Sequence, residues 1–311
     1  MTAAPEPGPT DAAARPLLRA FRAQRPLRAG SLLITLFGDA VAPRGGEIAL
    51  SSMIALARPF GLSERLVRTS VGRLARENWL QCERIGRLSY YRLTLHGRAE
   101  FASATRRIYG TPPQTWEGLW TVVLMGELSS AERELLGRDL RWRGFGQVSS
   151  GVLIYPADRQ QEIESELATS REAERVLLLQ ARTADRAHDL KLARRGWDLA
   201  ELEQRYRRLT RLLGPVERAL GRAPVAPVTS FLIRTLLVHE YRRIHLRDPL
   251  LPPDLLPARW TGTEAAQRCA RVYRAVFAAA ERFLSAHAVN RAGRLPPASP
   301  ETLRRFGGLA A

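Results

Sequence analysis

Four arginines, Arg65, Arg68, Arg73 and Arg76, crowd one short stretch around Thr69, with only Glu64 and Glu77 to balance them. The planar guanidinium fork hydrogen-bonds bidentately to guanine O6 and N7, and an α-helix carrying such groups fits the major groove of DNA. An ordinary solvated helix balances its charges at i, i+4 instead. Just downstream, Arg84-Ile85-Gly86-Arg87 places two more cations in a short turn. The chemistry on offer is recognition of a polyanion, with Ser63, Arg65, Arg68, Thr69, Arg73, Arg76, Arg84, Arg87 and Tyr90 as candidate DNA contacts.

A second group runs from His239 to Pro249 and through a proline-rich loop to Trp260. His239-Glu240 invites a zinc-protease reading, which needs two histidines at i and i+4. The next histidine is His245, and a spacing of six turns the two side chains about 240° apart on a helix, so the motif fails. Cations near a helix C-terminus complement its dipole. Alternatively, clustered arginines hold phosphates bidentately while an aromatic ring stacks on a base or acyl group. On that reading His239, Tyr241, Arg242, Arg243, Arg247 and Trp260 are candidate contacts to a phosphorylated effector.

Other chemistry is thin. Lys191 stands as the sole lysine and follows no glycine-rich approach, so there is no Walker A loop. Cys82 and Cys269 are too few for a disulfide framework or a cysteine-rich zinc site, which makes a reducing cytoplasm the expected location. Cys82 reads as a small hydrophobe on a strand. Gly144-Phe145-Gly146 lacks a third glycine and opens no helix. No catalytic residue, metal site or cofactor is expected, and the chain reads as a non-enzyme.

The elements that must position these residues can be read from spacing. Ala29 to Val41 and Ser51 to Phe60 have helical patterns, and Gly61-Leu62-Ser63 makes a turn in which Ser63 caps a third helix to about Asn78. Val67, Val71 and Leu74 form its buried stripe, leaving Arg65, Arg68, Thr69, Gly72 and Arg76 on the other side. Trp79 to Glu83 and Leu88 to Thr94 alternate as two strands around the basic turn, completing a winged helix-turn-helix. After Thr111-Pro112-Pro113, which reads as a linker, the order strand (118–126), helix (129–143), strand (151–155), helix (159–169), strand (175–182), with a further strand near 146–149, suggests a ferredoxin-like α+β unit. Helices follow over 198–213, 228–246 and 263–287.

Charge follows the same division. The chain of 311 residues has 48 basic against 31 acidic residues, a net +17. Residues 1–110 carry 17 against 8, residues 111–200 carry 12 against 14, and residues 201–311 carry 19 against 9. The two ends are suited to anions and the near-neutral middle to protein, so the middle is the expected dimer contact. Residues 1–27, without an apolar h-region, and residues 291–311 read as flexible tails, and no apolar run approaches the ~20 residues of a membrane span.

Gly61-Leu62-Ser63, Val67-Arg68-Thr69, Arg73-Leu74, Trp79-Leu80, Gly86-Arg87, Tyr90-Tyr91-Arg92-Leu93-Thr94 and Gly97 resemble the winged helix of the PaaX family of transcriptional regulators. The resemblance continues in Trp116 to Trp120, Arg143 to Gly146, Gly151 to Pro156, Trp197-Asp198-Leu199 and the 239–260 segment, spanning about residues 28–288. It implies an α+β multidomain chain: a DNA-binding domain (28–110), a central Cas2-like domain (114–183) and a C-terminal helical effector-binding domain (190–290). It also implies a homodimeric repressor of aromatic-acid catabolism that binds a double-stranded operator and leaves it when an aryl-CoA thioester, typically phenylacetyl-CoA, binds. Two other functions compete: an effector-independent DNA-binding protein, and a metal-dependent nuclease of Cas2 type. Against the nuclease, the end of the first central strand reads Met125-Gly126-Glu127 where such enzymes place an Asp.

Overall fold

The computed structural model describes residues 9–110, 115–168, 173–222 and 225–309. The chain packs as two compact units: one holds Met1–Thr111, Arg207–Arg243 and Thr263–Ala311, the other Pro112–Tyr206 and Ile244–Gly262. Packing thus groups the first of the three expected domains with part of the last, and the rest of the last with the central one.

The chain enters the first unit through α1 (Pro9–Arg22), where a tail was expected. Leu17 and Phe21 are buried, and Arg22 Nε donates to the Phe60 carbonyl at 3.0 Å. Residues 1–8 of that expected tail lie outside the described residues. Helix α2 (Ala29–Leu36) continues through a π-turn and a 3₁₀ turn to Arg44. Strand β1 (Glu47–Ala49) leads into α3 (Leu50–Ala57), and α4 (Glu64–Arg76) precedes the hairpin β2 (Leu80–Ile85) and β3 (Leu88–Leu93). The sheet order is β1-β3-β2, antiparallel throughout, so a short strand unread in the sequence makes β3 central. Helix α5 (Leu95–Tyr109) is capped by Thr94, whose hydroxyl accepts from Gly97 N at 2.9 Å.

In the second unit β4 (Trp120–Leu124), α6 (Ser130–Trp142), β5 (Gly146–Ser149), β6 (Val152–Tyr155), α7 (Gln160–Leu167) and β7 (Leu177–Ala181) follow in turn. The antiparallel sheet has the order β5-β6-β4-β7, the split βαβ arrangement in which the helical connections return each strand beyond its neighbour. Val123, Met125, Leu140, Phe145, Leu153 and Ile163 form its core. A capping box at Ser129 and Glu132 starts α6, as its S-x-x-E spelling requires. Helix α8 (Arg186–Gly196) then seats Trp197, which stacks on Trp120 with ring centroids 6.4 Å apart.

Helices α9 (Leu199–Leu220), α10 (Pro227–His245) and α11 (Thr261–His287) complete the helical part. Beyond them the segment expected as a tail forms the hairpin β8 (Val289–Asn290) and β9 (Gly293–Arg294), then α12 (Pro300–Leu303). Arg291 forms ion pairs with Glu47 and Glu83, and Ser299 N donates to the Pro43 carbonyl at 2.9 Å.

A buried ion cluster ties these pieces of the first unit together. The Asp39 carboxylate accepts from Arg234 Nε (2.7 Å), Arg305 Nη1 (2.7 Å), Tyr109 Oη (2.8 Å) and Tyr273 Oη (2.8 Å). Glu281 pairs with Arg234 and with Arg44. Burial pushes the Asp39 pKa up, but Arg234 and Arg305 outweigh it and hold the carboxyl below its usual range.

Candidate nucleic-acid interface and the C-terminal arginine segment

Helix α4 is held by its apolar stripe. Val67, Ser70, Val71 and Leu74 are buried, and α4 packs against α2 and α3. The turn before it needs Gly61 at φ +82°, a left-handed conformation that a Cβ disfavours. Ser63 then caps α4, its hydroxyl accepting from Leu66 N at 3.3 Å.

On the opposite face Arg65, Arg68, Thr69 and Arg76 are exposed. Arg68 pairs with Glu64 at 2.7 Å, one helical turn away, with both side chains more than half exposed. Exposed pairs of this kind are worth little, so Arg68 gives up Glu64 readily for a stronger anion. Arg65 and Arg76 have no carboxylate within ion-pair distance among the described residues. Arg73 leans elsewhere. It lies 3.7 Å from Glu77, and its guanidinium occupies the space where a Cβ on Gly30 would sit 2.4 Å away. Arg73 is therefore packed along α2 as well as exposed.

The hairpin is longer than the sequence suggests. Strand β2 runs to Ile85, which pairs with Leu88, so the turn is only Gly86-Arg87, with Gly86 at φ +60°. Arg84 and Arg87 are exposed at the tip together with Ile85 (48%) and Leu88 (52%), two apolar residues missing from the sequence-based contact set. Tyr90, expected among the DNA contacts, is not exposed with the others. It is buried in the central strand of the sheet, where it pairs with Glu83 of β2 on one side and Ala49 of β1 on the other.

The second candidate group is divided between the two units. His239 is fully buried, its Nδ1 3.0 Å from Thr35 Oγ1, and its Nε2 has no partner. Burial, then the charges of Arg242, Arg243 and Arg28, depress its pKa well below the usual value, so the ring is neutral. Arg242 donates to Thr35 Oγ1 (2.8 Å) and to Ser31 O (2.7 Å) and Oγ (2.8 Å); burial and Arg243 lower its pKa to about 10. Arg243 bonds Glu240 at 3.3 Å. Tyr241 is buried, its ring 5.9 Å from that of Phe306. Arg247 and Trp260 fall in the other compact unit, Arg247 exposed and Trp260 edge-on to Tyr206 with centroids 6.1 Å apart. Within the first unit, His239 and Arg242 thus fasten α10 to α2 through Thr35 and Ser31.

With this geometry in place, three family models match in chain order: PaaX-like protein over residues 28–97, PaaX protein central Cas2-like domain over 113–193, and PaaX-like protein C-terminal domain over 197–286. The transcriptional repressor PaaX of Escherichia coli strain K12 is 34% identical over 289 residues, covering 91% of this chain and 92% of that protein. The chain belongs to the PaaX family. A solved structure of an uncharacterized protein from Mycobacterium tuberculosis aligns with a TM-score of 0.49 and 24% identity, covering 75% of this chain and 89% of that one.

In this PaaX-family chain Met125 is buried at the end of β4, while Gly126 and Glu127 are exposed. Among the described residues no group of three or more His, Cys, Asp or Glu side chains is arranged to hold a metal ion. Among the same residues no helix is long and apolar enough to cross a membrane.

Proposed function

We propose that this PaaX-family protein is a DNA-binding transcriptional repressor of an aromatic-acid catabolic operon. The observation that carries the reading is the outer face of α4, where exposed arginines stand beside a basic hairpin in a chain 34% identical to a repressor. On this reading α3 and α4 form the helix-turn-helix, α4 enters the major groove, and β2 and β3 form the wing. Arg65, Arg68, Thr69 and Arg76 face base edges, and Arg84 and Arg87 meet phosphates. Arg73, leaning on α2, positions the recognition helix.

The functional form is a cytoplasmic homodimer on a pseudo-palindromic operator, since one winged helix buries too little surface for operator affinity. The copies meet through the central Cas2-like unit, whose edge strand β7 exposes Leu177 (62%) and Leu179 (46%). An aryl-CoA thioester such as phenylacetyl-CoA acts as effector and lowers operator affinity; linkage then requires the effector to bind DNA-bound protein more weakly by the same factor.

The deciding experiment is a mobility-shift titration of the full chain on its own promoter and on random DNA of equal length. Specific binding that is released by phenylacetyl-CoA and not by free phenylacetate supports the reading. Equal affinity for both DNAs would leave only a nonspecific polyanion binder.

A further inference from the structure

Within the first unit, α5 and the C-terminal segment enclose a cleft of about 680 Å³, in the range of small-molecule sites. Phe101, Leu93, Ala42 and Pro43 supply an apolar floor. The Phe101 ring packs directly on Gly38, where a Cβ would meet it at 2.8 Å. One stripe of α5, Arg98, Phe101, Ala102 and Thr105 with Arg106 beside it, lines the wall at helical spacing.

The charges around this floor are unequal. Glu47 is held by Arg291, and Arg305 is engaged by Asp39. Arg98 and Arg106 are exposed and have no carboxylate within ion-pair distance among the described residues, while Glu301 sits at the C-terminal side of the cleft. Arg98 Nε donates only a long bond to the Leu93 carbonyl at 3.4 Å, and an apolar floor beneath two guanidinium groups without carboxylate partners matches an organic anion with an aromatic or acyl body and a phosphate or carboxylate end.

We propose that this cleft, and not the arginines of α10, is the effector site, taking the apolar acyl end of an anionic thioester with its phosphates on Arg98 and Arg106. The identity of the ligand rests on the repressor reading above; the site itself rests on the cleft. Its position suits a switch. Arg92 and Leu93, which line it, belong to β3, the strand that continues into the hairpin. The far wall, from Ser299 to Arg305, is held by Ser299 on Pro43 and by Arg305 on Asp39. An occupant wedged between these walls bears directly on the hairpin.

The test uses the full chain and two probes, phenylacetyl-CoA and the aromatic sulfonate 8-anilinonaphthalene-1-sulfonate, by calorimetry and fluorescence. The variants are Ala102→Trp, which fills the cleft from an exposed position, and the double variant Arg98→Ala, Arg106→Ala; Arg243→Ala is the control. Both cleft variants are expected to weaken both probes at least about tenfold while retaining the wild-type melting temperature and operator binding, and Arg243→Ala to change neither. If the double variant still binds the thioester like wild type, the cleft is not the site, although the effector reading stands. Should wild type ignore the thioester yet bind the sulfonate in a manner the cleft variants abolish, the site stands and the aryl-CoA assignment falls. Sulfonate binding that is absent, or indifferent to both variants, overturns the cleft.

Discussion

Replacing Asp39 with asparagine keeps the shape of the buried side chain at the centre of the ion cluster and removes its charge. In the native cluster two carboxylates, Asp39 and Glu281, face three guanidinium groups, Arg44, Arg234 and Arg305. The substitution would leave three buried cations against Glu281 alone. The new amide would also turn a donor toward Arg234 Nε or Arg305 Nη1, each now 2.7 Å from a carboxylate oxygen. Removing one partner from a buried pair costs roughly 3–5 kcal/mol, and for a body of this size each kcal/mol lowers Tm by about 2–4 °C. Asp39→Asn should therefore melt roughly 10 °C below wild type at neutral pH. The pH dependence supplies a second check. Because the folded Asp39 pKa lies below the ordinary value, its stabilisation is complete above about pH 4, the unfolded carboxyl range, and is lost as pH falls through the folded value. The gap between wild type and variant, measured by urea unfolding across pH, should then shrink on acidification. A loss under about 1 kcal/mol at pH 7, or a gap that widens in acid, would refute the claim that this cluster joins the N-terminal helices to α10, α11 and the C-terminal segment.

Arg65→Ala should cost about 1–3 kcal/mol on the operator and far less on random DNA, whereas Arg87→Ala should weaken both alike and flatten the salt dependence; paired titrations at two salt concentrations separate these outcomes. Leu179→Arg on the exposed edge of β7 should halve the mass seen by light scattering while leaving the melting temperature within a few degrees; an unchanged dimer would place the interface elsewhere. His239, whose pKa burial and then Arg242, Arg243 and Arg28 depress, binds its proton only when unfolded, so wild-type stability should decline as pH falls below about 6.5 and His239→Gln should lack that component in urea titrations.

Local features of this chain were legible because short-range physics decides them. The Ser63 cap, the Val67, Val71, Leu74 stripe and the succession of strands and helices in the central part follow from turn chemistry and from periods of 3.6 and 2. The exposed faces bearing Arg65, Arg68, Arg76, Arg84 and Arg87 follow as the complements of the buried ones. What lay beyond the sequence depends on partners far along the chain. Residues 9–22 and 291–309 are polar and proline-rich enough to read as tails, yet Arg22 meets Phe60, Arg291 meets Glu47 and Arg305 meets Asp39. Nothing local marks Arg305 for burial, because only the assembled fold supplies the Asp39 carboxylate that offsets its desolvation. Tyr90 reads as exposed for a similar reason: alternation gives two faces of β3 but not which of them the rest of the fold will bury. The run from His239 to Trp260 looked like one site because it is contiguous in sequence. Tertiary structure divides it between two units and sends Arg242 to Ser31 and Thr35, since a helix distributes adjacent side chains around its whole circumference and each takes the partner it meets there.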